Sequence, residues 1–339
     1  MKKLAWILIG VVVAAVTTAI AVSYSWTFTP FGRLEYKAAI LAKLAYWNKD
    51  PLVMDRAAII AGNSATAKLI GIEKPTTGFT QRDVSVPTAW GRVPVRVYIP
   101  DGNGSFPVVV NYHGGGFFAG EGFAFDAVAM RIALRSKVVI FSVDYRMIPE
   151  HKFPAAVEDS FAALQWIAHN ARSYRGDPTR LAVMGQSAGA NLAAVMTIMA
   201  RDHGGPALRF QYLEVPVVDL SGKYSWPSVE KMGDHFFLKA SMMKQINDAY
   251  ITDIADRSKL EASPLLAPSH RQLPPALIVA AQFDPLVDQA GAYADALKNA
   301  GVPVEFEIAR GVLHGFIASP QRALENIERI HHGFERYLF

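Results

Sequence analysis

The sequence predicts an α/β fold: a mostly parallel sheet covered by helices on both faces. Three observations predict it. Strand-length apolar runs alternate with helically periodic segments over most of the chain after residue 83. Runs such as "SFPVVVNYH" (105–113) and "KVVIFSVDY" (137–145) are almost continuously apolar, as strands buried on both faces are. Gly185-Gln186-Ser187-Ala188-Gly189 stands where a strand run gives way to a helical one, so its serine would sit on a tight strand-to-helix turn.

The elements follow in order. Residues 31–70 read as helical and mixed, with a break at Asn63-Ser64. Two strands around the turn "AWGR" cover 83–99. After the strand at 105–113 comes a helix over 124–135, then the strand at 137–145. Residues 153–171 carry helical periodicity, with Pro154 tolerated at the start. A strand over 179–186 leads into a helix over 188–202, and "RFQYLEVPVVDL" (209–220) reads as another strand. Residues 221–262 are too long for a crossover and carry their own aromatics and helical stretches, so they read as an insertion. A strand over 275–283, a helix over 289–300, a strand over 303–310 and a helix over 320–337 complete the alternation.

Bulk composition narrows the function. The chain has 339 residues, 51% hydrophobic and 19% charged, which fits one domain with insertions. A net charge of +4 without a dense Lys/Arg patch argues against a nucleic-acid partner. With no cysteine, disulfides, Cys-ligated zinc and thiol nucleophiles are excluded. Oligomeric state is not legible. At the start of the chain, Lys2 and Lys3 precede 19 uncharged residues, 4–22. As a helix these would span roughly 28 Å, close to the bilayer core. The segment reads as a membrane anchor outside the fold. A cleavable signal peptide is the alternative, since Ala19-Ile20-Ala21 resembles a cleavage site.

Ser187 is the candidate nucleophile. Gly185 and Gly189 would leave room for the tight turn, and the helix that follows would aim its N-terminal N–H groups at the site. A serine hydroxyl needs an adjacent base. His314, in "GVLHGF" after a strand, is the best placed of nine histidines. His331 and His332 read as the solvated face of the last helix, and His169 and His203 as helix-end residues. Asp284 ends a buried strand and would orient the imidazole, with Asp288 as the rival acid. In "VVVNYHGGGFFAG" (108–120), three consecutive glycines need explaining. Backbone amides approach an oxyanion most closely where no side chain intervenes. Gly115 and Gly116, with the amide of Ala188, are the candidate oxyanion hole. His113 reads as a brace for that loop rather than a proton carrier.

Together "HGGGF", "VDYRMIPEHKFPAA", "GQSAGANLA", "SPLLAP", "FDPLVD" and "HGF" resemble, in order, the hormone-sensitive-lipase-like family of esterases, over residues 70–337. The resemblance implies an eight-stranded α/β-hydrolase core with a helical cap built from about 31–72 and 219–262. That divides the chain into a leader or anchor (1–22), an N-terminal cap segment (23–72) and a catalytic domain (73–339). It implies cofactor-free hydrolysis of short- to medium-chain carboxylic esters, with no metal. It makes Asp144, Tyr145, Arg146 and Glu150 supports of the site. Phe117 and Phe118 are expected at the acyl or alcohol pocket. Gln186 departs from the Asp or Thr common in the family, and Ala190 from its usual Gly.

The expected reaction is therefore ester hydrolysis through Ser187, acting on a small-molecule ester. The alternatives are an amidase or deacetylase using the same residues, and a receptor that has lost catalysis, which the presence of His314 argues against. Lipid chemistry at the membrane is a further reading, suggested by Phe236, Phe237, Met242 and Met243. The leading lysines would keep the N-terminus in the cytoplasm and the catalytic domain outside it, or release that domain after cleavage.

Overall fold

The computed structural model describes residues 2–47 and 71–339, with Asp55, Ala57, Ala58, Ala61, Gly62, Ala65 and Lys68 between them. The expected break at Asn63-Ser64 lies outside the described residues.

The sheet has eight strands: β3 (Phe79–Thr88), β4 (Gly91–Pro100), β5 (Phe106–Tyr112), β6 (Val139–Val143), β7 (Gly176–Gln186), β8 (Phe210–Glu214), β9 (Ala276–Phe283) and β10 (Val304–Leu313). Across the sheet the order is β10-β9-β8-β7-β5-β6-β4-β3. The pairs from β10 through to β6 are parallel, and β4 joins β6 antiparallel, as β3 does β4. A short hairpin, β1 (Phe28–Thr29) and β2 (Gly32–Arg33), precedes it.

Every residue of β5, β6 and β8 is buried, whereas the edge strand β3 is mostly exposed. Adjacent residues feed opposite cores, as the two-residue period demands. Val108 and Val110 pack on one face with α4 (Ala155–Asn170), α5 (Ala188–Asp202) and α8 (Val287–Asn299). Val109 packs on the other with α3 (Ala127–Ser136) and α9 (Pro320–Leu338).

Three expectations need correction. The strand expected over 209–220 stops at Glu214, because Val215 turns to a φ of 42° and Pro216 has no N–H for the ladder. The insertion that follows carries α6 (Pro227–Met232) and α7 (Ala240–Tyr250). The last strand runs on to Leu313, which brings His314 directly to its end. His331 is buried, 9% exposed, on the same face of α9 as Ile327, Ile330 and Phe334, while His332 is exposed. Burial, then Arg135, pushes the His331 pKa below its ordinary range.

Ahead of the sheet lie the helices α1 (Lys2–Ser25) and α2 (Tyr36–Trp47). In α1, Ala5–Ser25 is long and apolar enough to cross a membrane, and none of it is buried in the protein. In contrast, α2 packs Ala38, Ala39 and Ala42 with Phe236, Phe283 and Leu313, over the ends of β9 and β10.

Among the described glycines, those at the β7–α5 junction leave the least room for a side chain. A Cβ on Gly189 would lie 1.9 Å from the carbonyl oxygen of Tyr112, and one on Gly185 would lie 2.2 Å from that of Gly189. Both neighbours are backbone and cannot swing away. Gly189→Ala is expected to destabilise the fold by about 3 kcal/mol through overpacking, read as a lowered midpoint in denaturant. An unchanged midpoint would contradict this packing.

Candidate active site

Ser187 follows β7 and occupies the N-cap position of α5, with φ 54° and ψ −115°. A non-glycine residue in that region is strained. The backbone holds it there from both sides. Ser187 N donates to the carbonyl of Glu214 at 2.8 Å, and its own carbonyl accepts from Asn191 N at 3.0 Å. The side chain is thereby thrust off the end of the sheet.

His314 begins the turn after β10, and its Nε2 lies 2.9 Å from Ser187 Oγ. Its Nδ1 lies 2.7 Å from Asp284 Oδ2. Asp284 follows β9 and is 1% exposed; its other oxygen accepts from Leu286 N at 2.9 Å. One hydrogen-bonded line thus runs from hydroxyl through imidazole to a buried carboxyl group. Asp288 lies elsewhere, on α8, where it accepts from Ser228 N at 2.7 Å and ties the insertion down.

The glycine run follows β5. Gly115 and Gly116 have φ of 117° and 61°. A Cβ on Gly115 would lie 2.2 Å from the Ala119 carbonyl oxygen, because Phe118 N and Ala119 N both donate to Gly115 O in a tight turn. Gly115, Gly116 and Ala188 line one cavity with Ser187 and His314. That cavity has a volume of about 560 Å³, and Leu238, Met243, Ile246 and Ile317 also line it.

Phe117 and Phe118 line the cavity differently. Phe117 is buried, stacked on Tyr250 with centroids 3.9 Å apart, whereas Phe118 is half-buried and not fixed in this way. His113 lies behind the glycines. Its ring stacks on Tyr145 at 4.4 Å, and its Nδ1–H donates to Gly114 O at 2.7 Å. Tyr145 Oη donates to His113 O at 2.7 Å. Burial pushes the His113 pKa down, which favours a neutral ring. Asp144 accepts from Gly122 N at 3.1 Å, and Arg146 Nε donates to both oxygens of Asp159. Glu150 is exposed.

A buried polar cluster escaped the sequence reading. Gln186 Nε2 donates to Glu214 Oε1 at 2.5 Å. Tyr212 Oη and Asn326 Nδ2 each donate to Glu214 Oε2 at 2.7 Å. Burial raises the Glu214 pKa despite these donors. The cluster ties the residue before Ser187 to α9. Its sequence signal is a carboxylic acid, Glu214, at the end of a wholly buried strand.

A hydroxyl bonded to an imidazole, itself held by a carboxylate, can give up its proton while attacking a carbonyl carbon. Amides beside it can receive the charge that develops on the carbonyl oxygen. Among the described residues, no cluster of three or more His, Asp or Glu side chains could hold a metal.

Comparison with known proteins finds similar chains and folds. Residues 109–318 match the family model described as the alpha/beta hydrolase fold. The chain is 42% identical over 231 residues to the carboxylesterase NlhH of Mycobacterium tuberculosis, covering 66% of this chain and 71% of that protein. It is 34% identical over 257 residues to an arylesterase of Saccharolobus solfataricus, covering 74% and 81%. Among solved structures, an esterase of Pyrobaculum calidifontis superposes with a TM-score of 0.81 at 35% identity, over 88% of this chain and 97% of that one.

Proposed function

The chain belongs to the α/β-hydrolase fold family and is a carboxylic ester hydrolase; on that premise we propose that it works through an acyl-enzyme on Ser187. Ser187 Oγ attacks the ester carbonyl carbon as His314 Nε2 takes its proton. Asp284 holds the ring with its Nδ1–H inward and stabilises the imidazolium. The amides of Gly115, Gly116 and Ala188 receive the oxyanion. Collapse expels the alcohol, which takes the proton from His314. Water, deprotonated by the same nitrogen, then attacks the acyl group and releases the acid and the free serine. The single observation that carries this reading is the unbroken Ser187–His314–Asp284 line at the wall of an apolar cavity.

The preferred acyl chain is short to medium. Phe117, stacked on Tyr250, supports this as one wall of the cavity, and the half-buried Phe118 as another. A p-nitrophenyl ester series from acetate to palmitate is expected to peak before the long chains. Phe118→Ala should move the optimum outward and raise kcat/KM for a chain beyond the old optimum roughly tenfold, since about two buried methylenes are gained. An unchanged profile would place that ring outside the acyl site.

We further assign residues 23–72 and about 219–262 to a cap over the catalytic domain, and residues 1–22 to an anchor. The leading lysines favour a cytoplasmic N-terminus and a catalytic domain outside it. Protease added to intact spheroplasts is then expected to digest that domain. Digestion only after lysis would reverse the topology, and a mature N-terminus at Val22 would make the helix a cleaved signal.

A further inference from the structure

The foot of α1 is fastened to the catalytic end of the sheet. Gln282 Nε2 donates to Phe31 O at 2.9 Å, and Glu35 N donates to Gly311 O at 2.9 Å. Arg322 Nε donates to Glu35 at 2.9 Å. Gln282 and Gly311 lie near the ends of β9 and β10, just ahead of Asp284 and His314, which follow those strands. A bilayer around α1 would therefore lie toward the end of the sheet that carries the triad.

A second cavity, of about 450 Å³, opens at this foot. Trp26, Phe28, Phe31, Ala42 and Phe236 wall it, with Lys43 among them. Phe236 lines this cavity, while its neighbour Phe237 lines the reaction pocket, so one stretch of chain separates the two. Phe28 and Trp47 are 62% and 55% exposed. Arg33 stands over the rings of Tyr24 and Phe28, and Lys43 over those of Tyr46 and Trp47. Exposed aromatics mixed with bases at the end of an apolar helix suit the headgroup layer of a membrane. An apolar cavity opening at that level can take up a lipid chain that leaves the bilayer core.

We propose that this second cavity takes the uncleaved acyl chain of a bilayer-resident lipid ester and holds it beside the reaction pocket, which receives the shorter acyl group that is hydrolysed. The inference rests on the reading of α1 as a resident anchor. Lys43 supplies an ammonium for the headgroup or ester oxygens at the mouth. The physiological substrate is then drawn from the membrane, and water-soluble esters reach Ser187 without using this site.

The test uses the full chain in phosphatidylcholine vesicles containing a trace of phosphatidylcholine with a diazirine on its acyl tail. After irradiation, adducts are mapped by mass spectrometry. They are expected on α1 and on the cavity residues between Trp26 and Tyr46. Ala42→Phe, which fills the cavity, should cut the cavity adducts at least fivefold and leave those on α1. The same variant should raise KM for a vesicle-borne ester at least fivefold, with p-nitrophenyl acetate hydrolysis unchanged. Phe28→Asp, at an exposed position, should act in the same direction and guards against misfolding of the first variant. Adducts confined to α1, or equal losses on both esters, would overturn the proposal. No adducts on α1 would overturn the anchor reading, and the proposal with it.

Discussion

Ser187→Ala is expected to lower kcat/KM for p-nitrophenyl acetate by roughly 10⁴-fold or more, because residues that act as a unit fail together. That corresponds to about 5.4 kcal/mol of transition-state stabilisation. The fold should survive. Among the described residues Oγ hydrogen-bonds to His314 alone, and the backbone bonds that impose φ 54° do not involve the side chain. Circular dichroism and the denaturation midpoint should therefore match the parent. Activity within tenfold of the parent would rule out an acyl-enzyme on this serine.

Asp284→Asn should cost roughly 10³- to 10⁴-fold in kcat, and the structure gives the reason. Oδ1 accepts from Leu286 N, so that side of the group must remain an oxygen. The amide nitrogen would then face His314 Nδ1, where Oδ2 now stands at 2.7 Å. An N–H there needs Nδ1 as an acceptor and drives the proton onto Nε2. A ring protonated at Nε2 cannot take the Ser187 proton. Asp288→Asn should change kcat roughly threefold or less, as its bond from Ser228 N is one an amide oxygen can also accept. If Asp288→Asn were the more damaging, the acid would be misassigned.

The fold was legible because the two periodicities are strong in this chain. β5 and β6 are buried on both faces, so their apolar runs are uninterrupted. The turns are marked by glycines that have no substitute, as at Gly189 and Gly115. Ser187, Asp284 and His314 could be named as candidates because each follows a strand directly, and parallel strands end together. Where the readings fell short, the cause was tertiary. Val217 and Val218 are apolar enough for a strand, but Val215 and Pro216 turn the chain off the ladder first. His331 is polar by type, yet its ring lies on the inward side of α9. Glu214 and Asn326 are far apart in sequence, and only the docking of α9 brings them together. The hairpin at Phe28–Arg33 is too short to leave a periodic signal, although it fastens the helix foot to β9.

The most direct measurement is covalent capture. A fluorophosphonate reacts with a serine only where a base removes its proton and donors receive the phosphonyl oxygen, which is the combination assigned to Ser187. The intact chain, treated with the probe and digested, should carry a single phosphonylated peptide containing Ser187, and His314→Ala should abolish that labelling. A probe adduct on another serine with Ser187 unmodified, or labelling of Ser187 that survives the loss of His314, would contradict the mechanism.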